Sequence, residues 1–160
     1  MTAARPTVPS PDAVPAAVPE GEGAGTLLRP AKAVDSVVRS AGMPALLSHR
    51  AVDEETLLVR LPPRLSIRIR GAATLALAEL LTAYCPRHLV LEVPDVLTPV
   101  GLSTVLRASR SCQAAGAVLS VVAPASSSRV LLRDPLRAAG RVYGSTGEAL
   151  AAARRTHRAI

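Results

Sequence analysis

The chain has 160 residues, which allows one domain and a tail. Hydrophobic residues make up 49% of it, but Phe and Trp are absent and there are only two tyrosines, so any core must be aliphatic. All of the formal net charge of +7 lies in residues 45–160. No recognition helix or aromatic stacking platform accompanies this charge, so direct nucleic-acid binding would rest on charge alone, and we do not predict it.

The composition also argues against several other classes of protein. The sequence shows no signal-peptide pattern and no apolar run long enough to span a bilayer, so we expect a cytoplasmic protein without a membrane partner. Cys85 and Cys112 form no CxxC pair and have no His at metal-ligand spacing, which predicts two buried free thiols and no metal site. Without a nucleophile elbow, a phosphate-binding lysine or a carboxylate pair, we predict no catalytic residue, no enzymatic activity and no cofactor.

The first 44 residues differ from the rest of the chain. They contain half of the 14 prolines, separated mostly by Ala, Val and Gly. Such a segment cannot bury a core, so we predict a disordered tail over residues 1–44 and a folded domain over residues 45–160. Within the tail, Val34, Val37 and Val38 have helical spacing, which indicates a marginal helix over residues 31–40.

The folded part alternates between strand and helix patterns. Short apolar runs bounded by turn residues predict strands over 45–52, 56–61, 88–93, 117–123 and 141–143. Apolar residues three and four apart predict helices over 77–84, from 99 to a stop at Gly116, over 126–132, and from 145 onward. Residues 64–70 alternate apolar and polar side chains, which by itself indicates a further strand. This order predicts an α/β fold with a mixed sheet of four to five strands and helices packed mainly on one face.

The most informative segment joins the third of these strands to the following helix. Val90-Leu91-Glu92-Val93 is typical of a buried strand. Thr98 suits a helix N-cap and Pro99 the first helical position, where a missing N–H is tolerated. A junction of this kind presents unpaired backbone N–H groups to whatever approaches it.

Over residues 45–155 this pattern resembles the STAS domain, a family named for sulfate transporters and anti-sigma-factor antagonists. Residues 89–93 resemble the family's central strand, which commonly ends in an acidic residue. Gly101-Leu102 followed by Val105-Leu106-Arg107-Ala108 resembles the start of the helix after the regulatory loop. The resemblance implies a STAS-like fold and a non-catalytic bacterial module that binds an anti-sigma factor or serine kinase-like protein and so regulates transcription by partner switching.

The regulatory loop departs from the family pattern. Members usually show Asp-Ser-Ser-Gly-Leu, with the first Ser phosphorylated, whereas this chain has Thr98-Pro99-Val100-Gly101-Leu102. Proline has no hydroxyl, so the usual switch cannot operate at Pro99. Thr98 and Ser103 are weak candidate phosphoacceptors, since an N-cap role and a first-turn position account for them. The family's Gly-Glu-Leu-Asp motif is replaced by Pro62-Pro63-Arg64-Leu65, a stretch that leads into the first helix in the family.

These observations predict a docking surface rather than an active site. We expect Thr98, Pro99, Val100, Gly101 and Leu102 to centre the contact with the partner, with Arg64 and Arg68 nearby as charge partners. For the arginines, an ordinary solvated face is an equally good interpretation, and for the loop the alternative is a helix cap without a binding role. A second functional class is a structural or scaffold subunit that self-associates through its STAS-like domain.

Overall fold

The structure is a computed structural model that describes residues 36–38 and 46–157. Except for residues 36–38, the predicted tail therefore lies outside the described residues, as do the first residue and the last three residues of the predicted domain. No helix within the described ranges is both long and apolar enough to cross a membrane.

Six strands form one sheet, and their order in the sheet is their order in the chain. They are β1 (Ser36–Val38), β2 (Leu47–Ala51), β3 (Thr56–Arg60), β4 (His88–Glu92), β5 (Val118–Val122) and β6 (Gly140–Tyr143). The first three strands pair antiparallel, and β3 to β6 pair parallel, so the sheet is mixed. The crossovers contain α1 (Ile67–Tyr84), α2 (Pro99–Ala114) and α3 (Ser126–Arg133), and α4 (Thr146–His157) follows β6. The predicted α/β class is confirmed.

The helices cover the two faces of the sheet unequally. Alternate residues of the central strands enter a large core cluster with buried residues of α1 and α2 and with Leu132 of α3: Leu57, Val59, Leu89, Leu91, Leu119 and Val121. Their neighbours Leu58, Val90 and Val122 point to the other face, where they meet Ala149 of α4 in a smaller cluster. Three helices therefore lie on one face and one on the other, as predicted.

The alternating segment 64–70 is not the strand that period two alone indicates, and it leads into the first helix, as the family resemblance implies. α1 begins at Ile67, and the preceding Ser66 has the extended backbone of an N-cap residue. Leu65 and Ile69 are buried whereas Ile67 is 71% exposed, so the segment buries residues four apart instead of every second one. The burial continues through Ala73 and Leu77, because the helical face extends far beyond the short window in which period two was visible.

The N-terminal boundary also differs from the prediction. Ser36–Val38 is a strand that pairs antiparallel with β2, with Ser36 opposite His49 and Val38 opposite Leu47. The expectation of a marginal helix is therefore wrong at these residues, and ordered structure begins ahead of residue 45. β1 is an edge strand that pairs with β2, and it adds a sixth strand to the five identified from the sequence.

The end of α2 and the start of α4 are both fixed by residues typical of helix caps and turns. After α2, Gly116 takes a positive φ of 69° and the Ala117 amide donates to the Cys112 carbonyl at 2.8 Å. A capping box opens α4, since the Ser145 hydroxyl accepts from the Glu148 amide at 3.3 Å. The Glu148 carboxylate in return accepts from the amide of Gly144, one residue ahead of the expected partner.

The two thiols differ in environment. Cys112 is buried in the main core, and burial raises the pKa of its thiol to about 12. Cys85 instead takes the C-cap position of α1 with a positive φ of 45°, and it is exposed. The prediction of two buried thiols is therefore correct for Cys112 and wrong for Cys85.

His49 makes the stability of the domain dependent on pH. Its side chain is only 9% exposed, and its Nε2 lies 3.2 Å from the hydroxyl of Tyr84 on α1. Burial lowers the pKa of His49, because desolvation disfavours the charged imidazolium. The unfolded chain therefore binds this proton more readily, and the free energy of unfolding should fall as pH drops below about 6.5.

We expect His49→Phe, which keeps a planar ring, to lose part of this pH dependence. Urea unfolding at neutral pH and near pH 5 measures it, with Tyr84→Phe as the control that leaves the histidine in place. An identical loss of stability on acidification in wild type and His49→Phe would contradict the assignment.

Candidate functional site

The carboxyl ends of β3 to β6 meet at one edge of the sheet, because these four strands are parallel. Loops that follow such strands are the usual place for binding residues in α/β proteins. The segment over residues 93–102, which we call the β4–α2 corner, lies at this edge next to the β3–α1 and β5–α3 loops. The five residues predicted to centre the contact, Thr98 to Leu102, form its second half, whereas Arg64 and Arg68 lie in the β3–α1 loop and in α1.

The start of α2 is fixed by the cap predicted from the sequence. The Thr98 hydroxyl accepts from the amide of Gly101 at 3.1 Å, and the Thr98 carbonyl accepts from the amide of Leu102 at 2.9 Å. Pro99 occupies the first helical position, where φ is already suitable. Thr98 and Pro99 are exposed, and Val100 and Leu102 are half-buried. The corner therefore has a rigid backbone and an accessible outer surface.

Gly101 is buried under the loop that precedes the helix. A Cβ at this position would lie 3.0 Å from Cδ1 of Leu97 and 3.5 Å from the Thr98 hydroxyl. Leu97 itself is packed against the main core. Gly101 thus lets the loop close over the first turn of α2, so its role is to shape the corner rather than to contact a partner.

The loop between β4 and the cap is attached to its neighbours at both ends. The Val93 amide donates to the Val122 carbonyl at 2.9 Å, and the Ser128 hydroxyl of α3 donates to the Asp95 carbonyl at 3.0 Å. Val96, between the anchor at Asp95 and the cap at Thr98, is 77% exposed. Sequence reasoning missed Val96, because a single apolar residue in a short turn is not by itself a signal of a contact surface.

Glu92, at the end of the central strand, connects three elements. Its side chain is 13% exposed and pairs with Nε of Arg60 at 2.5 Å. Its other carboxylate oxygen accepts from the Thr146 hydroxyl at the start of α4. Because Arg60 and Glu92 are partners in the β3–β4 register, the pair also locks the ends of those strands together. The contact with Thr146 spans 54 residues, and no sequence pattern predicts it.

The arginines in and before α1 differ in whether they contact α2. Arg70 of α1 reaches the Ser103 hydroxyl on the first turn of α2, with Nη1 at 3.5 Å. Arg68 lies two residues earlier, about 200° around the helix, and is exposed. Arg64 is exposed in the β3–α1 loop. Arg70 is thus the basic residue that contacts the helix of the corner, and the sequence-based choice of Arg64 and Arg68 overlooked it.

A concave region lies at the opposite edge of the sheet from the corner, near the amino ends of the parallel strands. It is an open cleft of about 530 Å³. Its lining residues are Asp53, Glu54, Glu55, Thr56, His88, Ala153 and Arg154. Glu55 pairs with Arg87 at 3.5 Å, and the Asp53 carboxylate accepts from the Glu55 amide at 3.0 Å, as in a closed turn. Within the described ranges, no group of three or more His, Cys, Asp or Glu side chains could hold a metal ion.

Comparisons with known proteins give a likeness of fold. The structure is similar to the solved structure of the anti-sigma factor antagonist SpoIIAA in its unphosphorylated form, with a TM-score of 0.49 and 16% sequence identity. The match covers 71% of this chain and 99% of that chain. At this identity the likeness concerns the fold and says nothing about residues or partners. No family model matches the sequence, and no curated protein matches it.

We expect Thr98→Ala to destabilise the domain by about 1 kcal/mol, because the substitution removes the side-chain acceptor for the Gly101 amide. Thr98→Ser keeps that acceptor and should stay close to wild type. Denaturant unfolding of the three proteins measures the difference. Equal stability of Thr98→Ala and wild type would show that the cap does not hold the corner.

Proposed function

We propose that this chain is a non-catalytic regulatory module that uses the β4–α2 corner to bind an anti-sigma factor or a serine kinase-like protein. The sequence resemblance to STAS domains motivates the class of partner. The observation that carries the proposal is the combination of an anchored backbone with exposed side chains at Val96, Thr98 and Pro99. A surface that is rigid before binding loses little conformational entropy on association.

The charge distribution supports a partner with an acidic or carbonyl-rich contact surface. The first turn of α2 contains no acidic residue, so the positive end of the helix dipole is not neutralised from within that turn. Arg70 adds a positive charge beside the same turn through its contact with Ser103. Association with a negatively charged surface would therefore be faster at low salt.

The corner lacks the element that switches its family counterparts. A phosphate at the first position of α2 would add nearly two negative charges and reverse the local field. Pro99 offers no hydroxyl for this reaction, and the Thr98 hydroxyl is engaged as the cap of the helix. Binding by this corner is then constitutive, and its regulation depends on the amount of the protein or on competing partners.

Val96 provides the sharpest test of the docking surface. We expect Val96→Asp to weaken the complex at least about tenfold without unfolding the domain, because Val96 is 77% exposed and a buried unpaired carboxylate is costly at an interface. The full chain serves as bait in a native lysate. A captured protein with an anti-sigma-factor or serine kinase domain is then purified for titration.

Val118 is the matched control, since it is 49% exposed and lies at the amino end of β5, on the opposite edge of the sheet. Val118→Asp should leave the affinity unchanged. Unaltered affinity of Val96→Asp, or an equal loss in both variants, would show that the corner is not the interface.

Phosphorylation tests the missing switch. An anti-sigma-factor serine kinase with labelled ATP should not label the wild-type chain between Thr98 and Thr104, whereas Pro99→Ser, which supplies a hydroxyl at the family position, should be labelled. Mass spectrometry locates the phosphate. Stoichiometric label on any of those wild-type residues would refute the constitutive mode of binding, and absence of label on Pro99→Ser would count against a kinase of this type as the partner.

A further inference from the structure

Two large apolar side chains are exposed on the outward face of the first half of α1. Ile67 is 71% exposed and Leu75 is 62% exposed, and they lie two turns apart with the exposed Gly71 on the turn between them. A Cβ added at Gly71 would meet nothing within 4 Å, so the surface has an open notch between two large side chains. This face lies opposite the side of α1 that packs into the core. Most helices of globular proteins place polar side chains there.

Two opposite charges flank the notch on the same side. Arg68 and Glu79 are 11 residues apart, which corresponds to about three turns and about 16 Å along the axis, with an angular offset of only about 20°. Both side chains are exposed, and neither forms an ion pair within the described part of the chain. Arg68 also lies near the positive end of the helix dipole, where a cation is unfavourable and no acidic residue compensates it.

From this arrangement we propose that the outward face of α1 binds a second copy of this chain, with the two α1 helices antiparallel and related by a two-fold axis. In this arrangement Leu75 of each copy lies over Gly71 of the other. Arg68 of each copy then comes beside Glu79 of the other, so one geometry places the two symmetry-related Leu75 side chains in notches and forms two ion pairs.

The self-complementary charge pattern favours a second copy over a different partner. A two-fold interface uses the same patch on both subunits, and therefore needs both members of each complementary pair on one surface. An acidic partner would be attracted by Arg68 but opposed by Glu79. A nucleic acid would in addition bring no apolar surface to cover Ile67 and Leu75.

This surface is distinct from the β4–α2 corner and goes beyond the function proposed for it. Arg70, which contacts α2, lies about 160° around α1 from Arg68 by the shorter way, so dimerisation leaves the corner accessible. One helix face is smaller than a standard stable interface. We therefore expect a reversible dimer whose population rises with protein concentration.

Light scattering coupled to size-exclusion chromatography, over a concentration series of the full chain, measures this equilibrium. The mass of the wild type should rise from 16.5 kDa towards twice that value. Leu75→Glu should keep the chain monomeric at every concentration, and Val118→Asp, remote from α1, should behave as wild type. Circular dichroism of each variant checks that the domain remains folded.

Charge reversal identifies the arrangement. Arg68→Glu and Glu79→Arg should each raise the dissociation constant of the dimer about tenfold, because each turns two attractive pairs into two repulsive ones. The double variant Arg68→Glu/Glu79→Arg should restore dimerisation to near the wild-type level. A wild type that stays at 16.5 kDa throughout overturns the proposal, and so does a double variant as weak as the single ones.

The dimerisation experiment does not depend on the function proposed for the corner, because Val96→Asp should dimerise normally whether or not it loses its regulatory partner. Capture of another protein or of RNA by a strictly monomeric chain, lost in Leu75→Glu, would assign the α1 face to that ligand and overturn the dimer.

Discussion

Parallel pairing of β3, β4, β5 and β6 is the constraint on which the rest of the molecule depends. A parallel pair cannot be joined by a tight turn, so the chain must cross over each time, and here each crossover contains a helix. The consequence is that the carboxyl ends of four strands and the loops that follow them share one edge. The cap at Thr98, the anchor at Asp95 and the pair at Glu92 are brought together there.

Glu92 shows how this edge is stabilised. A carboxylate at the end of a buried strand needs partners, and Glu92 takes them from β3 through Arg60 and from α4 through Thr146. Since the Arg60 side chain is 66% exposed, this ion pair contributes little to overall stability. Its effect is geometric, because it connects the strand before the corner to the helix on the opposite face of the sheet.

The two surfaces proposed for binding, the β4–α2 corner and the outward face of α1, are separate. The corner is held by hydrogen bonds and presents Val96 and the start of α2. The α1 face is built from side chains that the core does not use. Arg70 marks the boundary between them, since it turns towards α2 while Arg68 faces away. The two proposed contacts therefore do not compete for the same surface.

Sequence patterns predicted a feature of the structure correctly where the residues that determine it are close together in the chain. The cap by Thr98 and Pro99 and the stop at Gly116 each depend on neighbouring residues, and each was predicted correctly. The alternation over residues 64–70 does not reveal the helix that begins at Ile67, because seven residues are too short a window to distinguish the two periods once a helix also has polar residues between its buried positions.

What the sequence determined by itself was the α/β class, the order of the elements and the position of the corner, since these follow from composition, periodicity and turn chemistry. Only the tertiary structure decided that Thr146 approaches Glu92, that Arg70 rather than Arg68 reaches α2, and that β1 joins the sheet. Each of these results depends on contacts between residues far apart in the chain. Such contacts are set by strand register and helix rotation, which no local pattern specifies.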